Sequence, residues 1–373
     1  MKIGFDAKRL FNNFTGLGNY SRFVVSALAN RFPEHEYWLY TPRLRDHPET
    51  RVYQNPKFVI RKPEAILAKR FSFVWRSYAL GNVAAKDGVT IFHGLSNELP
   101  ITKPRSLKTV VTVHDLIFKR FPEYYKAVDA QIYTWKLKNA CASADVVIAI
   151  SQQTASDLQE FLDVPASKIK VVYQGCHPNF KILATNEQKL YVQKKYNLPQ
   201  QFLLCVGTLE RRKNALTLVK ALAGLKDSLP LVLVGKATEY TKEIRNFVET
   251  NNLQHRVFMH HDVSFADLPT VYQLAQVFIY PSLFEGFGIP IIEAIVSGVP
   301  VITSTGSCFA EAGGSGVIYV NPTSEDALAA QIELLSSSTD MRSRMISISQ
   351  EYVRQFEPAV IAQNMMQVYQ AIG

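Results

Sequence analysis

Short runs of β-branched and other apolar residues recur along the chain, and a segment of helical periodicity follows each run. Near-continuous apolar runs such as VVTVHD and LVLVG are typical of strands buried on both faces. Their alternation with helices predicts a parallel α/β architecture. The predicted strands are Lys2–Ala7, Tyr37–Thr41, Phe58–Arg61, Thr90–His93, Thr109–His114, Val146–Ser151, Lys170–Gln174, Phe202–Gly207, Leu231–Gly235, Val257–His260, Val277–Pro281, Val299–Thr303 and Val317–Val320.

The alternation is interrupted between Pro178 and Pro199 by the polar stretch ATNEQKLYVQKKYNLPQ. Because a complete series of strands and helices lies on each side, we interpret this stretch as a domain boundary. We expect two Rossmann-like domains, residues 1–180 and 181–357, and a helical segment at 358–373 that no strand follows. A closed β/α barrel is the alternative, but the number of strands and the break favour two open sheets.

The composition is that of a packed globular protein, with 47% hydrophobic residues among 373, a length that suits two domains. The four cysteines form no CxxC pair, and Cys141 and Cys205 lie in apolar stretches that favour buried thiols. No uncharged apolar stretch reaches about 18 residues, and the N-terminal segment lacks a signal-peptide core. We therefore expect a cytoplasmic protein without a spanning helix.

The net charge of +9 favours an anionic partner, which could be nucleic acid, a membrane surface or a phosphorylated small molecule. The stretch Arg61–Arg76 combines basic residues with Phe71, Phe73 and Trp75. It is either a solvated helix with an aromatic core face or a surface for anionic lipid head groups. No recognised nucleic-acid motif accompanies the charge, so we expect no nucleic-acid partner.

The most informative segment, IYPSLFEGFGIPIIEAIVSGVPVITS, contains a strand end, a glycine turn and a helix start. Gly286 and Gly288 allow close approach of the backbone to a phosphate, and Pro290 fits the first helical turn. The N–H groups at such a helix start bind anions. Glu285 lies in the turn, and Glu293 on the helix is either a ribose ligand or an acid favoured by the helix dipole.

A second glycine turn, in the segment GTLERRKN, follows a predicted buried strand at Gly207. We expect Arg212 and Lys213 to bind a diphosphate, because a guanidinium and an ammonium group suit it. Arg211 would face solvent, and Asn214 would cap the next helix. A run of charges on a solvated face is the alternative interpretation.

Two histidines lie at the ends of strands predicted in the first half of the chain. His114 and Asp115 follow the run TVVTV and are either a cleft pair with perturbed pKa values or a structural pair of caps. His93 is a weaker candidate, for which a role in the core is the better interpretation.

A third glycine segment lies early in the chain. Gly16, Gly18 and Asn19 follow the first predicted strand and enter a helix. The third glycine of the dinucleotide fingerprint is missing, which excludes a typical NAD-dependent oxidoreductase. An extended loop of this kind suits contact with a substrate.

Together these segments resemble family 4 of the retaining glycosyltransferases, which have the GT-B fold of two Rossmann-like domains. The resemblance extends over nearly the whole chain. Its most specific part is EGFGIPIIE, the two-glutamate signature of that family, followed by SGVPVITS and by Glu311. GTLERRKN resembles the diphosphate motif of the branch that acts on bacterial O-antigen and capsule sugars.

The resemblance implies roles for the candidates in the second half of the chain. Lys213 and Arg212 would neutralise the leaving diphosphate, Glu293 would bind the ribose and Glu285 would contact the donor sugar. Many members carry an arginine at the position of Thr208, a charge that Arg212 would supply here. The remaining donor-binding residues would be Gly207, Gly286, Phe287, Gly288 and Ile289, and the segment His261–Leu268 would border the nucleobase.

The resemblance also implies roles in the first half and for the last helix. His114 and Asp115 would lie beside the reacting centre, and the segment Gly16–Asn19 would lie near the diphosphate or the acceptor. The final helix would cross back to the first domain.

The activity implied is retaining transfer of a hexose from a nucleotide-diphosphate sugar, with GDP-mannose as the best guess, to a saccharide acceptor in cell-surface polysaccharide or lipopolysaccharide synthesis. We expect a polyprenyl-linked acceptor at the inner face of the cytoplasmic membrane and a peripheral contact with that membrane. Family inference gives same-face attack, in which the donor phosphate takes the acceptor proton. No DxD-type pair of carboxylates follows a predicted strand, so we expect neither a metal nor a further cofactor.

Three alternatives bind similar ligands. A UDP-hexose or UDP-N-acetylhexosamine donor would use the same fold. A nucleotide-sugar epimerase would bind the donor but would need no acceptor. A glycogen-phosphorylase-like enzyme would need a lysine-bound cofactor, for which the sequence offers no candidate.

Overall fold

The computed structural model describes residues 1–64, 71–226 and 228–373. The chain forms two compact units. The first unit comprises Met1–Gly175 together with Phe356–Gly373, and the second comprises Cys176–Gln355. The sequence pattern predicts the end of the first domain five residues later, at residue 180.

Seven strands in the described part of the first unit form one parallel sheet, in the order β3-β2-β1-β4-β5-β6-β7. The order reverses between β1 and β4, and in open α/β sheets such a reversal opens a crevice beyond the carboxyl ends of the strands. All the strands lie where the apolar runs predict them: Lys2–Asp6 (β1), Glu36–Tyr40 (β2), Phe58–Arg61 (β3), Ile91–Gly94 (β4), Lys108–Val113 (β5), Val146–Ala149 (β6) and Ile169–Val171 (β7).

The helices of the first unit cover its sheet because their apolar faces pack against strands that are buried on both sides. The longest helices begin at Gly16 and Ala127. The ranges are Lys8–Asn12 (α1), Gly16–Arg31 (α2), Pro48–Arg51 (α3), Ser72–Val74 (α4), Leu80–Lys86 (α5), Ile117–Arg120 (α6), Ala127–Ser143 (α7) and Gln152–Leu162 (α8), with one π-helical turn at Trp75–Ala79.

The basic aromatic stretch Arg61–Arg76 is only partly described, since residues 65–70, including Arg70, lie outside the described ranges. Trp75 is buried in a cluster with Tyr40 and Leu80. Arg76 is also buried, and its guanidinium contacts two carboxylates. The interpretation of these two residues as part of a lipid-facing surface is therefore wrong, because packing and ion pairing withdraw them from solvent. Phe71 and Phe73 are exposed.

Six strands in the described part of the second unit form a second parallel sheet, in the order β10-β9-β8-β11-β12-β13. Here the order reverses between β8 and β11. The strands again match the predicted runs: Leu203–Val206 (β8), Leu231–Val234 (β9), Val257–His260 (β10), Val277–Tyr280 (β11), Val301–Ser304 (β12) and Ile318–Val320 (β13). The prediction of two open parallel sheets is confirmed.

The polar stretch that the sequence analysis takes as the boundary forms the first long helix of the second unit. The Thr185 hydroxyl accepts from the Gln188 N–H, and the Gln188 side chain accepts from the Thr185 N–H, so a capping box starts the helix. The helices of this unit are Asn186–Lys195 (α9), Ala215–Ala223 (α10), Tyr240–Thr250 (α11), Leu268–Leu274 (α12), Ile289–Val296 (α13), Phe309–Gly313 (α14), Glu325–Ser337 (α15) and Thr339–Tyr352 (α16).

The last helix, Pro358–Gln370 (α17), packs against α2 in the first unit. Its proline occupies the first helical turn, where a missing N–H costs nothing. The helix buries Ile361, Met365 and Tyr369. It therefore contributes to the core of the first unit, although it lies at the opposite end of the sequence.

The cysteines and the helix lengths bear on two further expectations. All four cysteines are described, and each carries a buried, free thiol, as the apolar surroundings of Cys141 and Cys205 predict. Among the described residues, none of the helices combines the length and the apolar character that a membrane-spanning segment requires.

Candidate active site

Glu285 is the centre of a charged cluster in the second unit. Its Oε1 atom lies 2.7 Å from Arg212 Nη1 and 2.6 Å from Lys213 Nζ. The carboxylate is buried, and burial alone would raise its pKa, but the charges of Lys213 and Arg212 lower the pKa of Glu285 to about 2. The group is thus ionised at neutral pH, and it holds both cations at one point.

The topology of the sheet explains why these three side chains meet. Arg212 and Lys213 follow β8, Glu285 follows β11, and β8 and β11 are hydrogen-bonded neighbours at the point where the strand order reverses. In addition, the Leu283 N–H donates to the Arg212 carbonyl, and the Arg212 guanidinium donates to the Phe284 carbonyl. The loops after the two strands are therefore bound to each other at the position where doubly wound sheets bind ligands.

Lys213 has a further partner that the sequence analysis does not identify. Its ammonium lies 2.5 Å from the hydroxyl of Tyr280, the last residue of β11. Tyr280 is fully buried, and burial together with the charge of Glu285 raises the pKa of its phenol. The neutral Tyr280 hydroxyl thus accepts a hydrogen bond from the Lys213 ammonium and helps to hold it in place. The signal in the sequence is an aromatic residue at the end of a predicted strand.

Arg211 and Asn214, on either side of the two cations, have structural contacts. Arg211 is exposed, as expected, and pairs with Glu243. Asn214 occupies the N-cap position of α10 in the left-handed region, at φ 58°, and its side chain accepts no bond from a backbone N–H of the first turn. Its amide donates instead to the carbonyls of Pro281 and Pro322. The prediction that Asn214 caps this helix is confirmed for its position, whereas its side-chain oxygen accepts from the Thr217 hydroxyl instead of a backbone N–H.

Gly207 has the conformation that its place in the turn after β8 requires. Its φ is +153°, outside the range that other residues readily adopt. The backbone of Gly235, after β9, approaches so closely that a Cβ there would lie 1.9 Å from the Gly207 carbonyl oxygen. The turn after β8 is thus in close contact with the turn after β9.

Gly288 begins the helix of the two-glutamate segment. It lies at the N-cap position of α13 with φ +103°, and Pro290 occupies the first turn. Gly286 and Phe287 are buried, and Ile289 is half-buried. A helix start of this kind presents backbone N–H groups to an anion. The structure therefore forms the glycine-turn and helix-start arrangement that the sequence predicts.

Glu293 lies in the second turn of α13. The Tyr272 hydroxyl donates to its Oε2 atom at 2.9 Å. Burial raises the pKa of Glu293 to about 7, against the opposing effects of Tyr272 and of the charge of Lys213. The carboxyl group is thus close to half-protonated at neutral pH, and it can both accept and donate hydrogen bonds to a hydroxyl-bearing ligand.

Ser307 and Cys308 support the turn at Glu285, and the sequence analysis does not single them out. The Ser307 hydroxyl donates to the Glu285 carbonyl at 3.0 Å and accepts from the Glu285 N–H at 3.2 Å. The Cys308 thiol donates to the same carbonyl. These two residues follow β12, so the neighbouring strand holds the backbone that presents the carboxylate.

The segment expected to border a nucleobase is tied to the rest of the second unit. His261 Nδ1 lies 2.9 Å from the Gly235 carbonyl oxygen. Asp267 accepts from Lys195, the last residue of α9, and from Tyr196, which follows it. The Glu311 carbonyl accepts from the Tyr352 hydroxyl. These contacts fix the loop after β10 and the short helix α14.

In the first unit, His114 lies at the carboxyl end of β5 with its ring buried. Its Nε2 atom lies 2.9 Å from the Leu95 carbonyl oxygen, so Nε2 carries the proton and Nδ1 is an acceptor. Burial lowers the pKa of His114 to about 4. Asp115 accepts from the Ile117 N–H at the start of α6. The neutral imidazole therefore acts through hydrogen bonding, and the aspartate has a capping contact.

Gly16, Gly18 and Asn19 lie in the first turn of α2. The Asn13 side chain accepts from the Gly18 N–H, and a Cβ on Gly18 would lie 1.8 Å from the Asn13 carbonyl oxygen. The Asn19 side chain accepts from the Arg22 guanidinium. Gly16 is exposed, with open space where a Cβ would lie. Gly18 is thus required by packing, and Gly16 is the member of the segment that is accessible.

His93 is fully buried in β4 between two hydroxyl groups. The interpretation of this residue as part of the core is confirmed.

The structure brings Arg212, Lys213 and Glu285 into direct contact and places Glu293 on the adjoining helix. A parallel α/β unit with such a site at its strand reversal, preceded by a second parallel α/β unit, defines the GT-B class of glycosyltransferase structure.

Two family models match consecutive parts of the chain. Residues 14–180 match the model described as Glycosyltransferase Family 4, and residues 187–352 match the model described as Glycosyl transferases group 1. The chain therefore belongs to this family of glycosyltransferases.

Among curated relatives, the chain is 29% identical over 349 residues to O-antigen chain mannosyltransferase B of Escherichia coli, covering 89% of this chain and 90% of that protein. It is also 29% identical over 243 residues to O-antigen chain mannosyltransferase RfbU of Salmonella typhimurium, covering 65% of each.

Solved structures share the fold at lower identity. A glycosyltransferase from Rickettsia africae superposes with a TM-score of 0.76 at 18% identity, over 100% of this chain and 98% of that one. Anabaena HepE in complex with UDP and glucose gives the same TM-score and identity over 100% of both chains.

Proposed function

We propose that the protein is a retaining, metal-independent hexosyltransferase that uses a nucleoside-diphosphate sugar as donor. The observation that carries the proposal is the pair of cations, Arg212 and Lys213, held on the buried carboxylate of Glu285. The pair lies in the loop after β8, and the helix start at Gly288 follows β11, the neighbouring strand. Two fixed cations together with a helix start suit a diphosphate.

The chemistry of transfer requires charge stabilisation at the diphosphate. Breaking the anomeric C–O bond leaves both electrons on the diphosphate oxygen, while positive charge develops on the sugar ring. Preorganised cations and N–H groups at that oxygen lower the barrier because they need not reorganise during the reaction. Arg212 and Lys213 provide this stabilisation, and for this reason we propose that the reaction needs no metal.

Glu285 has a double role in this proposal. Before the donor binds, its carboxylate pairs with both cations and keeps them in place, while Glu210 provides a second negative charge to Arg212. With the donor bound, it contacts the sugar, and the cations turn to the diphosphate. Glu293, with Tyr272 hydrogen-bonded to one oxygen, binds the hydroxyl groups of the ribose.

Retention follows, in this proposal, from attack on the face from which the diphosphate departs. The acceptor oxygen forms the new bond to the anomeric carbon, and its proton passes to the departing phosphate oxygen. His114, beside the reacting centre, is neutral because burial lowers its pKa to about 4. Its Nδ1 atom can therefore accept a hydrogen bond from a sugar hydroxyl, whereas it is not suited to supply a charge.

GDP-mannose is the proposed donor, because relatives matched over most of the chain or over two thirds of it are named as mannosyltransferases of the O-antigen. The proposed acceptor is a polyprenyl-linked saccharide of a cell-surface polysaccharide. A UDP-sugar is the second candidate donor, favoured by the similarity of the fold to HepE, which was solved with UDP and glucose.

A peripheral contact with the inner face of the cytoplasmic membrane would bring the enzyme to such an acceptor. Phe71 and Phe73 are exposed, and the ammonium of Lys136 lies 5.4 Å from the ring centre of Phe73. Phe73 and the exposed Trp135 also line a cavity of about 360 Å³. Exposed aromatic rings with a neighbouring lysine suit the interfacial layer of an anionic membrane.

The test is transfer from radiolabelled GDP-mannose, UDP-glucose and UDP-N-acetylglucosamine to a polyprenyl-diphosphate-linked saccharide, with and without EDTA. We expect transfer from one nucleotide class, unchanged by EDTA, and a product whose anomeric configuration by NMR matches that of the donor. Inversion would contradict the retaining mechanism, and loss of transfer in EDTA would contradict metal independence. Interconversion of the donor sugar without transfer would indicate an epimerase.

A further inference from the structure

A chain of hydrogen bonds inside the first unit connects the C-terminal helix α17 with α2. Tyr369 Oη lies 2.6 Å from His93 Nδ1, and His93 Nε2 lies 2.8 Å from Thr112 Oγ1. The same Thr112 oxygen lies 3.0 Å from Tyr20 Oη. These side chains are almost completely buried. Polar networks satisfied in a buried environment are rigid, because an unpaired member would be costly.

His93 links the two ends of this chain without carrying a charge. Burial, with a smaller contribution from the neighbouring His114, lowers the pKa of His93 to about 3. A neutral imidazole donates from one nitrogen and accepts at the other. The His93 ring therefore donates a hydrogen bond to one of these two hydroxyl groups, that of Tyr369 or that of Thr112, and accepts one from the other.

At its other end the chain of hydrogen bonds reaches His114, the candidate residue at the end of β5. The ring of Tyr20 packs edge-on against the ring of His114, with 4.6 Å between centroids and planes at 88°. The second contact of the His114 ring, Leu95, lies two residues after His93 on the same strand end. Both contacts of the imidazole are therefore connected to the hydrogen-bonded chain. Tyr20 is hydrogen-bonded to Thr112, and Leu95 is connected to His93 through the backbone at the end of β4.

We propose that Tyr369, His93, Thr112 and Tyr20 are positioning residues that hold the imidazole of His114, so that turnover depends on the docking of the C-terminal helix. The inference rests on the proposed function, in which His114 lies beside the reacting centre. The chain takes no part in bond making or breaking. It acts because small displacements of a group at a reacting centre reduce the rate strongly, by about a hundredfold for 1 Å.

The principal test is Tyr369→Phe, which removes one hydroxyl and leaves the ring in place. We expect kcat to fall about tenfold, with the KM for the donor little changed, because geometry rather than donor binding is affected. In a histidine-labelled protein, the NMR signal of the His114 ring should move, since its position relative to the Tyr20 ring changes.

Tyr37→Phe is the matched control. The Tyr37 hydroxyl is also buried in the first unit, and it donates to the carbonyls of Leu28 and Phe32, away from His114. We expect both variants to lower the unfolding temperature to a similar extent. Only Tyr369→Phe should lower kcat and move the His114 signal.

A second pair of variants separates the hydroxyl from the packing at Thr112. Thr112→Val keeps the shape but loses the hydroxyl, whereas Thr112→Ser keeps the hydroxyl and loses a methyl group. We expect Thr112→Ser to retain most of the turnover and Thr112→Val to behave as Tyr369→Phe does. The opposite order would overturn the proposal, because packing would then be the property that matters.

His114→Ala, which also assigns the NMR signal, separates the failure of this inference from that of the proposed function. If His114→Ala loses transfer while Tyr369→Phe matches Tyr37→Phe in kcat and in the His114 signal, the positioning role is wrong and the proposed function stands. If His114→Ala transfers normally, the role of His114 in the proposed function is wrong, and the positioning role with it.

Discussion

Lys213 has contacts that a bound diphosphate would have to replace. Its ammonium pairs with Glu285 and receives support from the Tyr280 hydroxyl. Arg211, two residues earlier, has the same charge but lies at the surface and pairs with Glu243. At the scale of single residues, the proposed diphosphate site therefore distinguishes Lys213 from Arg211 by where the charge is held, since both carry the same charge.

We expect Lys213→Ala to lower kcat/KM by about a hundredfold or more, because it removes a preorganised cation from the leaving group. Arg211→Ala is the control and should remain close to the unchanged protein. Initial rates at several donor concentrations measure both, and circular dichroism checks the fold. Near-normal turnover of Lys213→Ala would contradict the diphosphate site.

Glu293 gives a pH dependence with a defined sign. Its pKa is raised from the ordinary 4.5 to about 7, so the folded protein binds a proton that the unfolded chain releases over that interval. The stabilisation is present below the unfolded pKa and is lost as the pH rises through the folded pKa.

We therefore expect Glu293→Gln, which stays neutral, to reduce the loss of stability between about pH 5 and about pH 8 by about 2 kcal/mol. Urea unfolding at several pH values measures the slope. Glu249→Gln, at an exposed acid of the same unit, is the control and should keep the slope of the unchanged protein. An identical slope for Glu293→Gln would show that its carboxyl group has no raised pKa.

At the scale of elements, helix α13 has a glycine in the left-handed region near each end. Gly288 at the N-cap has φ +103°, and Gly298, just after the helix, has φ +77°. Both glycines have a positive φ, but only Gly288 lies at the helix start that we propose as the diphosphate site. This difference allows stability and binding to be separated.

We expect Gly288→Ala and Gly298→Ala each to lower stability by about 1 kcal/mol, because alanine disfavours a positive φ. Only Gly288→Ala should weaken the binding of a nucleoside diphosphate. Calorimetric titration with GDP and UDP tests this expectation. If both variants bind equally well, the start of α13 does not contact the diphosphate.

The strand elements follow closely from the sequence, and the reason is physical. Parallel strands buried on both faces need near-continuous apolar runs, which are visible without any tertiary information. The helix α9 is different, because it lies within the polar stretch ATNEQKLYVQKKYNLPQ, which the sequence pattern indicates as a domain boundary. A capping box and packing against α12 make it a helix, and the capping box was available in the sequence as Thr185 and Gln188.

At the scale of the whole molecule, the first unit has an exposed apolar surface formed by Phe71, Phe73 and Trp135. The stretch Arg61–Arg76 predicts Trp75 at this surface together with Phe71 and Phe73, but Trp75 is buried in the core. Trp135 comes from α7, a helix distant in sequence, and joins Phe73 at the same cavity. The proposed membrane contact therefore combines two segments.

We expect the double variant Phe73→Ser with Trp135→Ser to bind vesicles of phosphatidylglycerol and phosphatidylcholine several-fold more weakly in a sedimentation assay, because two interfacial aromatic rings are lost. Tyr191→Ser removes an aromatic ring of similar exposure from the second unit and is the control. Equal binding of all three proteins would contradict a membrane contact at this surface.

The sequence by itself determined the strands, the parallel α/β class and the motif residues after the strands, because each depends on local pattern and on the chemistry of residue types. It also indicated the ligand class, through two cations, two glycines and two acids with the spacing of a known family. Only the tertiary structure decided that Lys213 and Arg212 meet at Glu285, that the Asn214 amide donates to the carbonyls of Pro281 and Pro322, and that Tyr369 contacts His93. These contacts join residues far apart in the chain, and the direction of a side chain in such a contact depends on packing that no local pattern specifies.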